Sequence, residues 1–175
     1  MIYIPNFITE VEERTILEEL NKYAWQEKFG RRMQAYGFMY KKGEFNIPLH
    51  ETIPIPECIK IIIEKIKKIN NKDYNQLTIN EYLPGQGIDA HWDHKTRFGD
   101  SIAGISIGSY CTMIFENLNT KDKKEYIIEP RSLYIMHSEM RYNWTHKIAK
   151  IKYDIINNVK VDRKIRTSLT FREIL

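Results

Sequence analysis

Residues 77–94 read LTINEYLPGQGIDAHWDH, and this stretch carries both a fold signal and a chemical one. On an extended strand, alternate side chains share a side. Leu77, Ile79 and Leu83 then lie on one side and Asn80 and Tyr82 on the other. An ordinary core strand would show a less polar inner face than an amide and a phenol. The turn signal Pro84-Gly85-Gln86-Gly87 follows. It delivers His91 and Asp93 nearby, two residues apart, so that on extended backbone an imidazole and a carboxylate converge. His-x-Asp alone is a weak signal, because a simple His–Asp hydrogen bond explains it equally well.

Outward from this stretch the texture stays β-like. Short runs at 102–107, 111–115, 126–128, 133–137, 142–146 and 167–171 follow the strand at 77–83, separated by Gly108-Ser109, by 117–124 and by Pro130-Arg131. Two helices precede them. Thr9 with Glu12 forms a capping-box pattern before Val11, Leu17, Leu20 and Ala24, which predicts a helix over about 10–23. From Pro56, allowed at a first helical position, Ile59, Ile62, Ile63, Ile66 and Ile69 form a stripe at helical spacing up to about Asn70. Two helices followed by about seven short strands predict an α+β domain, a sandwich or jelly roll buttressed by helices. Residues 147–164 are polar, basic and contain Asn, and read as a long loop or insertion.

Composition sets the limits. The chain has 175 residues, 42% hydrophobic and 29% charged, which suits one domain with a real core. Its 27 Lys and Arg against 23 Asp and Glu give a net charge of +4, which permits a polyanionic partner without proving one. Cys58 and Cys111 are far apart and in apolar surroundings. They argue against a disulfide scaffold or a thiolate zinc site and fit a reducing compartment. No apolar run is long enough to span a membrane, and Met1-Ile2-Tyr3-Ile4 lacks a basic flank. The expectation is an intracellular, cytoplasmic or nuclear chain with no membrane partner, working as a monomer.

Two further segments bear on function. Residues 31–42 read RRMQAYGFMYKK, with Tyr36, Phe38 and Tyr40 on one face if extended and Arg31, Arg32, Lys41 and Lys42 at the ends. Aromatics flanked by cations suit base stacking with phosphate neutralisation, and they equally suit a core strand with charged ends. Near the C-terminus, Arg166, Ser168, Thr170 and Arg172 alternate with Leu169 and Phe171. Six steps of about 3.3 Å set the two Arg Cα atoms about 20 Å apart. Leaning inward, two forked guanidinium groups could clasp a small dicarboxylate.

The ordered set Asn80-x-Tyr82-x-Pro84-Gly85, His91-x-Asp93, Trp144-Thr145-His146 and Arg166-x5-Arg172 resembles the AlkB family of Fe(II)- and 2-oxoglutarate-dependent dioxygenases. The resemblance runs from about Arg31 to Arg172. Residues 84–94, 130–133, 141–146 and 166–172 are most similar to the tRNA-modifying AlkB homologue, whereas 32–37 resembles the nucleotide-recognition lid of the DNA-repair members. It implies one double-stranded β-helix domain over 1–175, with helices and lid over about 1–75 and the catalytic core over about 76–175. It further implies that His91, Asp93 and His146 bind Fe(II), the pattern of two imidazoles and a carboxylate that leaves positions open. Arg166 would pair with the distal carboxylate of 2-oxoglutarate, helped by Asn80 and Tyr82. Arg172 would sit near the keto-acid end and Asp93. O2 would take the last position on the metal. Trp92 and His94 flank the ligands and either touch a substrate base or pack outward, while His50 and His137 match no motif position. Ser168 departs from an Asn that supports the co-substrate in several members, and Lys95 from an acidic residue that faces the base in a repair-type member.

The activity so implied is oxidative demethylation of alkylated DNA or RNA bases, or hydroxylation of a modified tRNA base. A partner methyltransferase or RNA-binding chain would accompany the latter. The competing readings are a same-fold oxygenase acting on a protein or small molecule, and a non-catalytic nucleic-acid-binding module.

Overall fold

Alternation of apolar and polar residues governs most of the chain, and strands follow from it. The computed structural model describes residues 1–39, 50–51 and 53–175, apart from the side chains of residues 50 and 51. In chain order the elements are β1 (Ile2–Ile4), α1 (Glu10–Leu20), β2 (Gln26–Lys28), β3 (Arg31–Met39), β4 (His50–Glu51) and α2 (Glu57–Asn70). There follow β5 (Gln76–Tyr82), β6 (Ile88–His91), β7 (Phe98–Ile107), β8 (Cys111–Asn117), β9 (Lys123–Ile128) and β10 (Leu133–His137). The chain ends with α3 (Ser138–Tyr142), β11 (Trp144–Ile148), β12 (Tyr153–Ile156), β13 (Val159–Asp162) and β14 (Arg166–Ile174).

The helices form where the caps and stripes demand. Thr9 Oγ1 accepts from the Glu12 N–H at 3.1 Å and Glu12 Oε2 accepts from the Thr9 N–H at 2.8 Å, closing the capping box. α1 stops at Leu20, short of the expected residue 23, because the Lys22 and Tyr23 N–H groups turn to the Glu19 and Leu20 carbonyls three residues back. Pro56 has ψ 146°, so it caps α2 from outside and the helix starts at Glu57. Ile59, Ile62, Ile63 and Ile66 are buried, each contributing about 2 kcal/mol. No described helix is long and apolar enough to cross a membrane.

Two antiparallel sheets pack face to face. The larger has the order β1-β10-β7-β14-β5-β3-β2, with β4 beside β3, and the smaller β6-β11-β8-β9. One face of the large sheet, with Tyr36, Leu77, Ile79, Ile105, Leu169 and Phe171, buries against α1 and α2. A second core, including Ile102, Met113, Phe115, Tyr134, Met136 and Trp144, lies toward the small sheet. This is the α+β jelly-roll arrangement expected, with the helices as an outer layer.

Two segments differ from expectation. The run expected as a strand from Tyr142 is helical through Tyr142, and the strand starts at Trp144. Residues 147–164, expected as a loop, contain a hairpin in which Ile156 pairs with Val159. Its two-residue turn, Asn157 and Asn158, has φ 50° and 63°, the left-handed pair of a type I′ turn that asparagine tolerates.

The hairpin is rooted by a buried ion pair. Arg163 Nε and Nη2 donate to Asp154 Oδ2 and Oδ1 at 2.6 and 2.8 Å, and Asp154 Oδ1 also accepts from the Thr112 N–H at 3.0 Å. Burial pushes the Asp154 carboxyl up, but the hydrogen bonds from Arg163 and Thr112 outweigh it and hold the group below its ordinary value. The pair therefore contributes fully above the ordinary carboxylate range near pH 4, and its contribution is lost as pH falls through the lowered folded value. Asp154→Ala strands Arg163 and is expected to cost about 3–5 kcal/mol at pH 7. In acid melts the variant's stability should converge on that of the wild type, and a constant gap down to pH 2 would contradict the assignment.

Candidate active site

Strand alternation brings the polar residues of three separate segments onto one surface. On β5, Asn80 and Tyr82 face away from the helices, opposite Leu77 and Ile79, and β14 lies alongside with Ser168 opposite Asn80 and Arg166 opposite Tyr82. From the small sheet, His146 on β11 pairs directly with His91 on β6. The imidazole rings stand 4.3 Å apart between centroids. Asp93, just past β6, is buried and its Oδ1 accepts from Arg172 Nε at 2.6 Å. Asn80, Tyr82, Ser168, Arg172, His91, Asp93 and His146 line a narrow cavity of about 50 Å3 between the sheets, in a pocket of about 410 Å3 once its mouth is counted, and Arg166 stands beside its Tyr82 and Ser168 walls. Met113, Met136, Ile88 and Ile148 form its apolar walls.

The protonation states suit metal ligation. His91 Nδ1 lies 2.8 Å from the Asp89 carbonyl. A carbonyl only accepts, so Nδ1 carries a proton and Nε2 is the nitrogen left for a metal. Burial, with His91 beside it, pushes His146 down to about 4, so its ring is neutral at pH 7. Burial raises the Asp93 carboxyl, but Arg172 and His146 more than compensate and hold it below its ordinary value, ionised. Among the described residues no three His, Cys, Asp or Glu side chains stand close enough, as placed, to hold a metal ion. One carboxylate oxygen of Asp93 is committed to Arg172. The donor types nonetheless fit Fe(II): two imidazoles and an ionised carboxylate.

Beside the pocket stand two arginines, Arg166 and Arg31, with no carboxylate partner among the described residues. Arg166 Nε donates to Ser106 Oγ at 2.8 Å and Nη2 to Ser168 Oγ at 3.4 Å. Its Nη1 is buried with no partner among the described residues, a costly arrangement for a guanidinium unless an anion completes it. Arg166 and Arg31 lie 5.5 and 5.3 Å from the centre of the Tyr82 ring. Arg31 Nε donates to Asn80 Oδ1 at 2.8 Å, which leaves the Asn80 amide as a donor toward the pocket. Burial keeps the Tyr82 phenol protonated against the pull of both arginines. A dicarboxylate fits this donor set.

Arg141 was not legible as a site residue from its position. It is buried and donates to the carbonyls of Gly99, Asp93, His94 and Phe98 at 3.1, 2.9, 2.8 and 3.3 Å, clamping the loop that carries Asp93. Its signal lay in the run 141–146. Gly104 is equally silent in sequence. A Cβ there would strike the Tyr134 ring, which lies across β7 on its way to the pocket wall.

The expected nucleic-acid strip on β3 is corrected by the structure. Tyr36 is 0% exposed, on the face toward the helices, its hydroxyl donating to Gln34 and its ring edge-on to Tyr23. Phe38 shares that face and lines a hollow with Ile55 and Ile63. Arg31 is buried beside Asn80 rather than free for phosphate. Arg32 is exposed but makes two 2.8 Å hydrogen bonds to Glu81 and stacks on Trp25. The reason is register: Gln34, Tyr36 and Phe38 point to the helix side, and Arg31, of opposite parity, points to Asn80. Tyr40, Lys41 and Lys42 lie outside the described residues. Trp92 stays 50% exposed beside Lys95, whereas His94 accepts from the Thr96 and Arg97 N–H groups of its own loop. His137 contacts Ser138, away from the pocket.

Residues 1–172 match the 2OG-Fe(II) oxygenase superfamily. The chain is 35% identical, over 98% of its length and 83% of the relative's, to protein L905 of Acanthamoeba polyphaga mimivirus. It is 30% identical, over 99% of its length, to the tRNA (carboxymethyluridine(34)-5-O)-methyltransferase alkbh8 of Xenopus tropicalis, but spans only 31% of that protein. Among solved structures OsALKBH1 superimposes with a TM-score of 0.73 over 98% of this chain and 95% of that one, at 14% identity, a likeness of fold.

Proposed function

Because this chain belongs to the 2OG-Fe(II) oxygenase superfamily and, within it, to the AlkB family, we propose that it oxidises an alkylated or otherwise modified base of a nucleic acid. It is an oxidoreductase of a family that works with Fe(II), 2-oxoglutarate and O2. The observation that carries the site assignment is the buried Arg166, whose Nη1 has no partner among the described residues and whose guanidinium lies against Tyr82 and Ser168, two walls of the narrow cavity that His91, Asp93 and His146 also line. His91 Nε2, His146 and Asp93 would hold the iron. Bound together, iron, co-substrate and dioxygen supply the oxidising power to hydroxylate an unreactive C–H bond.

The protein's own residues then position and shield. Ser106 and Ser168 aim Arg166 at the distal carboxylate, and Tyr82 and Asn80 donate beside it. Arg172 holds Asp93 by one oxygen and is itself steadied by Gln76 and Thr78. Met113, Met136, Ile88 and Ile148 keep bulk water from the reacting centre. Trp92, exposed next to the ligands, offers a surface on which an unstacked base can lie. Hydroxylation of a carbon on nitrogen collapses to an aldehyde and the dealkylated base; elsewhere the hydroxyl stays. The similarity to alkbh8 favours a modified tRNA base among these substrates.

Arg31 belongs, in this reading, to the co-substrate pocket. Arg31→Met is expected to raise KM for 2-oxoglutarate about tenfold, the worth of one charge-assisted hydrogen bond. The salt dependence of nucleic-acid binding should stay as it was. A loss of nucleic-acid affinity with an unchanged KM would return Arg31 to a phosphate-binding role.

The deciding experiment is mass spectrometry on a panel of methylated DNA, RNA and tRNA-derived oligonucleotides with Fe(II) and 2-oxoglutarate. Mass loss or gain on at least one oligonucleotide, absent in His146→Ala, is the expected result. Succinate release with every oligonucleotide unchanged would point instead to a protein or small-molecule substrate.

A further inference from the structure

With Tyr36 and Arg31 buried, Phe38 turned to the helix side and Arg32 paired to Glu81, the uncompensated positive charge of the chain must lie elsewhere. Residues 147–164 contain Lys147, Lys150, Lys152, Lys160, Arg163 and Lys164 against Asp154 and Asp162. Taking these six bases and two acids from the chain's 27 and 23 leaves 21 of each. The whole net charge of +4 therefore sits in one segment of 18 residues, and the rest of the chain is neutral. Arg163 and Asp154 cancel each other inside the fold, so the excess is borne by lysines.

These lysines are held outward by structure. Lys150, Lys152, Lys160 and Lys164 are exposed. The β12–β13 hairpin is stiffened by four cross-strand pairs and its Asn157-Asn158 turn, and its root is pinned by Asp154–Arg163. Lys160 Nζ rests 4.5 Å from the centre of the exposed Tyr153 ring and 3.8 Å from Asp162 Oδ1, a loose pair between exposed side chains that water screens. The segment also lies beside the site. It begins one residue after His146 and ends two before Arg166. Lys150 Nζ approaches Asp89 at 2.9 Å, two residues from His91, and the Ile151 carbonyl accepts from Gly85 in the turn that leads to His91.

We infer that the β12–β13 hairpin is the backbone grip of this enzyme: a rigid cationic arm on which Lys152, Lys160 and Lys164 neutralise phosphates of the nucleic-acid strand whose base enters the pocket. The inference rests on the nucleic-acid reading of the substrate given above. Contacts of this kind position a strand without reading its sequence, and they release counter-ions, so their signature is salt dependence. A folded arm beside the pocket would hold the strand in place while one base leaves it.

The test compares full-length wild type with two triple variants. One is Lys152→Ala/Lys160→Ala/Lys164→Ala. The other, Arg14→Ala/Lys60→Ala/Lys68→Ala, removes the same charge from exposed positions on α1 and α2. Binding of a single-stranded oligonucleotide is measured by fluorescence anisotropy across a salt series, and oligonucleotide-independent succinate formation is measured in parallel. The hairpin variant is expected to bind roughly tenfold or more weakly at low salt, with the slope of log K against log salt flatter by about 2. Its basal succinate formation should be unchanged. The helix variant should follow wild type. Equal losses in both variants would reduce the effect to net charge and overturn the grip. So would an unchanged slope in the hairpin variant while wild type binds. No binding by wild type at any salt would overturn the nucleic-acid reading and the grip with it.

Discussion

Asp93→Ala is expected to abolish turnover, by at least 100-fold, and to lower the stability of the metal-free protein by about 3–5 kcal/mol. Both effects come from one carboxylate. Its Oδ1 takes the Arg172 Nε at 2.6 Å, and both side chains are mostly buried. Removing the acid leaves the guanidinium in the interior with only the neutral acceptors Gln76 and Thr78. For a chain of this length, that cost is a drop in Tm of roughly 10 °C. Asp93→Asn keeps an oxygen acceptor for Arg172, so it should recover much of the stability and none of the activity. Thermal melts and 2-oxoglutarate-dependent turnover of the two variants separate the roles. An alanine variant that turns over at the wild-type rate would remove Asp93 from the metal set.

Arg166→Met is expected to act in opposite directions on activity and stability. KM for 2-oxoglutarate should rise about 100-fold, since a guanidinium–carboxylate pair in a closed pocket is lost. Without ligand, the same variant should be no less stable than wild type. Among the described residues the buried Nη1 has no hydrogen-bond partner, so the chain alone does not offset the cost of keeping this polar atom out of water. Added 2-oxoglutarate should raise the Tm of wild type by mass action and leave that of the variant in place. A variant that melts well below wild type in the absence of ligand would make Arg166 a structural residue instead.

The legibility of the site follows from the range of the interactions that built it. Alternation put Asn80 and Tyr82 opposite Leu77 and Ile79, and Ser168 opposite Leu169, and the sheet uses both strands that way round. The same rule misled at β3. Tyr36 and Phe38 do share a face, but which face meets solvent depended on where α1 and α2 pack, and they pack on the aromatic side. Arg31, one residue out of phase with Tyr36, went to the pocket by the same parity. The hairpin at 153–162 carries little local signal because its turn is Asn-Asn rather than Asn-Gly and its anchor, Asp154 to Arg163, is an ion pair that spacing alone does not reveal.

What this amino-acid sequence determined by itself is local and periodic: two capped or striped helices, short alternating strands, a His-x-Asp unit and two arginines at the ends of one strand. The tertiary structure alone decided which face of β3 is inside, that Arg31 serves Asn80 and not a phosphate, that Arg141 clamps the Asp93 loop, and that the surplus charge stands on a folded arm. The reason is physical. Propensity and periodicity act over a few residues, whereas burial, ion pairing and the direction of a polar atom depend on partners 40 to 100 positions away that only the closed sheets bring into reach, such as Asp93 to Arg172 at a separation of 79 residues.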